Sequence, residues 1–107
     1  MRELEEMKDL DKQVAEAQGW VCKANGGPRY WWTEDENYYL HRAEDYIPST
    51  NMEQAGELLE KYQLCLLSND DGIWHAAEHI FEGAPYGEGK TWMEAVCKAV
   101  VALENNR

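Results

Sequence analysis

The chain has 107 residues, of which 21 are acidic and 10 basic, so its formal net charge at pH 7 is −11. Such a charge repels nucleic-acid phosphates and argues against direct binding of DNA or RNA. The sequence contains no apolar stretch long enough to span a membrane, and its acidic N-terminus does not have the pattern of a signal peptide.

Two helices are predicted in the first two thirds of the chain, from apolar side chains that recur every three or four residues. The first covers about 3–18, and the second follows Pro48, where Thr50 and Glu53 form a capping box. Gly56 inside the second helix suggests a point where another element approaches closely. The two apolar faces consist of Met7, Leu10, Val14 and Ala17, and of Met52, Ala55, Leu59 and Tyr62.

Five strands are predicted around the second helix, because turn signals separate runs of aromatic and branched residues. They cover 20–23, 29–33, 38–41, 63–68 and 73–81. The turns between them are Asn-Gly-Gly at 25–27 and Asn-Asp-Asp-Gly at 69–72. The stretch 74–79 contains residues that favour helix, but its position after a hairpin turn favours a strand.

The third helix begins at Thr91, and the residues before it decide what this junction does. Ala84 to Thr91 read Ala-Pro-Tyr-Gly-Glu-Gly-Lys-Thr, which satisfies the loosest form of the nucleotide-binding P-loop. A P-loop enzyme also needs further parallel strands, and we expect no room for them in the sixteen residues after Thr91. Thr91 and Glu94 form a capping box, so we interpret the junction as a helix start. The apolar face of this helix is Trp92, Ala95, Val96, Ala99, Val100 and Leu103.

An alternative function remains for the same junction. Any helix N-terminus attracts anions, because its first amides are unpaired and the helix dipole is positive there. A passive phosphate or nucleotide site could therefore consist of Gly87, Gly89, Lys90, Thr91 and Trp92.

The order of these elements is α-β-β-(β)-α-β-β-α. This order predicts an α+β fold, in which an antiparallel β-sheet is packed by three α-helices in layers, as an α-β-α sandwich. No repeat, low-complexity tract or linker divides the chain, and we expect a single domain over 1–107.

Three blocks of the chain carry a resemblance to a known family. They are 10–16 with Gly19 and Trp20, 48–51 with Ala55 and 58–61, and Thr91 with 94–99 and Leu103. In order and spacing they resemble the opening, the middle helix and the closing helix of the phage ABA sandwich domain family. Gly56 departs from that pattern, because a tryptophan commonly stands there. The resemblance implies a phage or prophage protein with helices and sheet in layers, and it supplies no established catalytic residues.

The spacing of the cysteines and histidines does not favour a metal site or a disulfide framework. His75 and His79 have the spacing of zinc ligands on a helix, but on a strand they lie about 13 Å apart. Cys22, Cys65 and Cys97 lack the paired short spacing of structural zinc sites, and an odd number argues against a disulfide framework. We therefore predict no metal, no cofactor and no catalytic residue. A hydrolase that uses a cysteine and a histidine is the alternative, because such partners meet only in space.

An acidic and aromatic stretch is the candidate protein-binding surface. On a strand, Trp31 lies on the opposite face from Tyr30 and Trp32, so one of these faces is nearer to solvent unless helices cover both. Exposed aromatic side chains dominate binding hot spots, and an acidic surface steers a protein towards basic partners. The high charge can equally serve solubility alone. The predicted surface consists of Trp31, Glu34, Asp35, Glu36, Tyr38 and Tyr39.

These observations predict a non-enzymatic phage or prophage accessory protein that acts by binding in the cytoplasm of the host bacterium. The first hypothesis is a counter-defence or host-takeover factor that engages a host protein, basic or nucleic-acid-binding, through the acidic and aromatic surface. One alternative is a protein that sequesters a nucleotide signal at the N-terminus of the last helix. Another is a structural or virion-associated protein, and the sequence leaves a homo-oligomer open.

Overall fold

The computed structural model describes residues 2–24, 26–33, 39–78 and 86–106. The elements of this part of the chain confirm the α+β class and the three predicted helices. In chain order they are α1 (Arg2–Ala17), β1 (Val21–Ala24), β2 (Arg29–Trp32), β3 (Tyr39–Arg42), the short 3₁₀ helix η1 (Ala43–Asp45), α2 (Met52–Lys61), β4 (Cys65–Ser68), β5 (Trp74–Ala77), β6 (Tyr86–Gly89) and α3 (Trp92–Asn105).

The described strands form two antiparallel sheets rather than the one sheet expected from the element order. One sheet has the order β1-β2-β3 and the other β4-β5-β6, so every strand pairs with its neighbour in sequence. The helix α2 separates the two groups of strands, and short connections let each group close locally. The turn between β4 and β5 uses Gly72 at φ 81°, a conformation that glycine adopts without steric penalty.

The strand β6 is not among the strands that the sequence predicts. Its residues Tyr86–Gly89 pair with β5, with Gly87 opposite Ala76 and Gly89 opposite Trp74. Two glycines in four residues give no strand propensity and no apolar alternation, so the pattern contains no signal for this strand. Trp74 to Ala77 is confirmed as a strand, whereas Ile73 and Glu78, the residues on either side of it, are not part of the strand. The remainder of that predicted strand, 79–81, lies outside the described residues.

Helix α3 provides the centre of the core. It contacts α1, α2, β5 and β6, and the apolar face predicted for it is buried except for Trp92, which is half-buried. Cys97 joins that face as a fully buried side chain, and Val14 and Ala15 of α1 are fully buried as well. The fully buried side chains of α3 are Ala95, Val96, Cys97, Ala99 and Val100.

Helix α2 begins one residue later than the sequence predicts. Its N-cap is Asn51, whose side-chain oxygen accepts a hydrogen bond from the Gln54 amide at 2.9 Å. The predicted capping box of Thr50 and Glu53 is therefore wrong. The predicted apolar face is also corrected at one end, because Met52 is 66% exposed while Leu58 is only 2% exposed.

No other element packs closely against Gly56, in the middle of α2, within the described part of the chain. A Cβ atom built on Gly56 would meet no heavy atom within 4 Å. The expectation that another element approaches closely at this point is wrong within the described part of the chain. None of the described helices combines the length and the apolar character that crossing a lipid bilayer requires.

Candidate functional site

The junction between β6 and α3 is a capped helix start, as its sequence predicts. The Thr91 hydroxyl accepts a hydrogen bond from the Glu94 amide at 3.1 Å. The Glu94 carboxylate reaches back and accepts from the Lys90 amide at 3.0 Å, one residue before the amide that a standard capping box uses. The same carboxylate pairs with Lys98 Nζ at 3.0 Å. The Thr91 hydroxyl thus satisfies one of the amides that a helix start otherwise leaves unpaired, and the Glu94 carboxylate fixes the residue before the cap.

The two glycines before this junction allow β6 to lie directly against α3. A Cβ atom on Gly87 would collide with the backbone of α3 at the Ala95 carbonyl oxygen and the Ala99 nitrogen. A Cβ atom on Gly89 would come within 2.8 Å of the Glu94 side chain. Both glycines are buried. They are needed for close packing between a strand and a helix, which is a structural role.

The junction is a poor place for an added anion. The structure brings the five residues of the alternative anion site together in one short segment, but the Glu94 carboxylate lies at the first turn of the helix. A phosphate that approached the helix amides would meet this negative charge. Gly87 and Gly89 face the helix, and Trp92 packs against the core.

The acidic and aromatic stretch is only partly within the described residues. Glu34, Asp35, Glu36 and Tyr38 lie outside them. Trp31 is only 4% exposed and belongs to the core, so it is not part of an exposed binding surface. The sequence could not predict the direction of the Trp31 side chain. The alternation of side chains along β2 defines two faces of the strand but does not say which face is covered.

Tyr39, the last residue of the same predicted surface, begins β3 and pairs with Trp32 on β2. The strand β3 leads directly into η1, so the acidic stretch is followed in sequence by Glu44 and Asp45.

A second acidic surface lies at the N-terminus of α2, and we call it the α2 patch. Its apolar members are Met52, 66% exposed, and Ile47, 37% exposed. Its acidic members are Asp45, Glu53 and Glu57, all exposed. The sequence does not predict this patch, because helical spacing places Met52 on the buried face of α2.

One side chain holds the two segments of the α2 patch together. The Gln54 side-chain oxygen accepts a hydrogen bond from the Ile47 amide at 2.7 Å. The Gln54 side-chain nitrogen donates to the Asp45 carbonyl oxygen at 2.9 Å. The end of η1 and the start of α2 are therefore fixed relative to each other, so the patch is an ordered surface.

A groove of about 800 Å³ separates α1 from the first sheet, and we call it the α1 groove. Its volume is within the range of sites that bind small molecules. Trp31, Tyr46 and Cys22 line it, and three cationic side chains surround it, which are Lys8, Lys12 and Arg29. No spacing rule predicts this groove, because its residues come from three separate segments.

Asp11 is a buried carboxylate on the wall of the α1 groove. It is 6% exposed, and its Oδ1 atom accepts a hydrogen bond from the Ser49 amide at 2.8 Å, which ties α1 to the segment before α2. Burial raises the pKa of the Asp11 carboxyl above its usual value, and the hydrogen bond from the Ser49 amide partly offsets that rise. The folded protein therefore holds the Asp11 proton more tightly than the unfolded chain does.

The raised pKa of Asp11 predicts how the free energy of unfolding changes with pH, and denaturation at a series of pH values measures that change. Because the pKa of Asp11 is higher in the folded state, its contribution to the free energy of unfolding falls as the pH rises from about 4 through the folded pKa. Asp11→Asn keeps an oxygen acceptor for Ser49, so urea denaturation of this variant should lack that fall. Asp11→Ala leaves the buried Ser49 amide unpaired and should lose about 1–3 kcal/mol. Parallel pH profiles for the wild type and Asp11→Asn would contradict this assignment.

The cysteines lie in three different environments. Burial raises the pKa of the Cys97 thiol far above its usual value, which disfavours the thiolate that a nucleophile needs. Cys22 is half-buried and Cys65 is exposed. Among the described residues, no group of three or more His, Cys, Asp or Glu side chains could hold a metal ion. The His75 ring nitrogen contacts the Asn69 side chain at 2.9 Å, and His79 lies outside the described part of the chain.

Comparison with family models places the chain in a phage family. The model of the bacteriophage P22 NinX family matches residues 3–104. Because this match covers nearly the whole chain, the chain belongs to that family, and the expected membership of a small phage protein family is confirmed. Comparisons with curated proteins and with solved structures gave no match. The protein is thus a phage-encoded accessory protein.

Proposed function

We propose that this member of the phage P22 NinX family acts by binding and not by catalysis, and that its partner is a basic protein of the host. In this proposal it is a counter-defence or host-takeover factor in the host cytoplasm. In this proposal the partner binds to the α2 patch. Further acidic residues lie N-terminal to the patch in sequence, in the stretch 34–38.

The observation that carries this proposal is the exposure of Met52 within an acidic surface. A 66% exposed methionine and a 37% exposed isoleucine five residues before it in sequence offer apolar contact area, and methionine is enriched at protein interfaces. Asp45, Glu53 and Glu57 provide a negative rim. A rim of one charge steers a partner of the opposite charge and suppresses other partners.

Gly56 supports the same surface independently. A glycine inside a helix reduces stability by about 1 kcal/mol relative to alanine, and no contact within the described structure requires it. It lies one turn after Met52 and between Glu53 and Glu57 on the same helix. The open space above it would let the backbone of a partner approach α2 closely.

Capture from host lysate provides the test. Immobilised wild-type protein should retain a basic host protein, and retention should weaken as the salt concentration rises, because exposed charges are screened. The double variant Glu53→Lys/Glu57→Lys should lose that protein, and Met52→Ala should weaken its retention.

The matched control is the double variant Asp70→Lys/Glu88→Lys. It changes the net charge by the same amount, but its exposed residues lie in the β4–β5 turn and on β6, outside the patch. Retention by this control together with loss by the α2 variant supports the patch. Equal loss by both variants, or no loss by either, rejects it.

A further inference from the structure

We infer that the α1 groove is a binding site for a small organic phosphate of nucleotide size. This site is separate from the β6–α3 junction and adjoins the α2 patch at Ile47, which also lines the groove. The proposed function does not depend on it. The inference rests on the charge around the groove, the character of its floor and its volume.

The charge around the groove is opposite to the charge of the molecule. The chain has 10 basic residues against 21 acidic ones, and three of the basic ones line this one groove: Lys8 and Lys12 on α1, and Arg29 at the start of β2. All three are exposed, and among the side chains that the structure describes no carboxylate forms an ion pair with any of them. These cations are therefore available to a ligand.

The negative groups of the groove are few and partly neutralised. Glu44 pairs with Arg42 at 3.2 Å. Asp11 is buried, and its burial favours the protonated form. Together with three cations, these two acids leave the lining net positive in a molecule of charge −11. A phosphate group on the open side of the groove would therefore meet net attraction from this lining.

The floor of the groove suits the uncharged part of such a ligand. Trp31 and Tyr46 line the groove, and although each is only 4% exposed they make this part of its lining aromatic. The Tyr46 hydroxyl accepts a hydrogen bond from Gln18 at 2.9 Å, and burial raises the pKa of Tyr46, so the hydroxyl stays neutral. A volume of about 800 Å³ accommodates a base and a sugar as well as phosphates. An aromatic base with an anionic tail therefore matches both parts of the lining.

Titration calorimetry with ADP on the full chain tests this inference, with adenosine as the uncharged comparison. Wild type should bind ADP, and adenosine should bind at least tenfold more weakly because it lacks the phosphates. Lys12→Gln/Arg29→Gln should weaken ADP binding tenfold or more, at about threefold to fivefold for each exposed cation removed.

Lys23→Gln is the matched control, since Lys23 follows Cys22 on β1 but does not line the groove. Its ADP affinity should stay within a factor of two of wild type. Melting temperature, measured for each variant, separates lost binding from lost folding. No ADP binding at millimolar concentration, or equal affinities for wild type and Lys12→Gln/Arg29→Gln, would overturn the inference.

Alkylation of the cysteines locates the bound ligand. Cys22 lines the groove and is half-buried, whereas Cys65 is exposed on β4. ADP should slow the reaction of Cys22 with iodoacetamide, measured by mass spectrometry, and leave the reaction of Cys65 unchanged. Protection of neither cysteine at saturating ADP would place the nucleotide elsewhere and reject this site.

Discussion

Gly87→Ala should destabilise the protein by about 3 kcal/mol or more, because the added methyl group would enter the backbone of α3. The Ala95 carbonyl and the Ala99 amide cannot move aside as a flexible side chain can. The variant must therefore separate β6 from the helix at the centre of the core. Urea denaturation followed by circular dichroism measures the change in the free energy of unfolding.

Gly56→Ala is the natural control for this substitution, since the same methyl group is added in open space. It should raise the free energy of unfolding by about 0.5–1 kcal/mol, because alanine is the better helix former. The two glycine variants thus have opposite expected signs. A Gly87→Ala protein as stable as wild type would show that β6 does not pack on α3 as described.

Trp31→Ala should lose about 3–5 kcal/mol, the usual range for removing a buried tryptophan side chain. The physical reason is the lost burial of a large ring together with the cavity that remains. If Trp31 were instead an exposed docking residue, its removal would leave stability unchanged. Thermal and urea denaturation distinguish these two roles directly.

Met52→Ala is the comparison for Trp31→Ala, because Met52 is a large apolar side chain that is 66% exposed. Its stability should stay within about 0.5 kcal/mol of wild type. A large loss for Met52→Ala, or a negligible loss for Trp31→Ala, would reverse the assignment of surface and core.

Local signals predicted the helices best. The spacing of apolar residues identifies the buried face of α3. The pair Thr91 and Glu94 identifies its start, because capping depends only on residues close in sequence. At the start of α2 the same kind of signal failed by one residue. Thr50 and Asn51 can both cap a helix, and the hydrogen bonds of Gln54 to the preceding segment are consistent with the later start.

Features that depend on contacts between distant residues were not predictable. The strand β6 exists because glycines let it pack on α3, and a strand rich in glycine has no propensity signal. The direction of Trp31 depends on what covers β2. The α1 groove joins Lys8 and Lys12 to Arg29, which lies on a different element, and only the fold brings them together.

The position of α3 in the chain also bears on how the protein is made. The helix that contacts α1, α2, β5 and β6 follows all of them in sequence, and ribosomes add about 5–20 residues per second from the N-terminus. The earlier elements are therefore synthesised before their common packing partner exists. Their apolar faces lack this partner until α3 is made, and the high negative charge of the chain opposes aggregation during that interval.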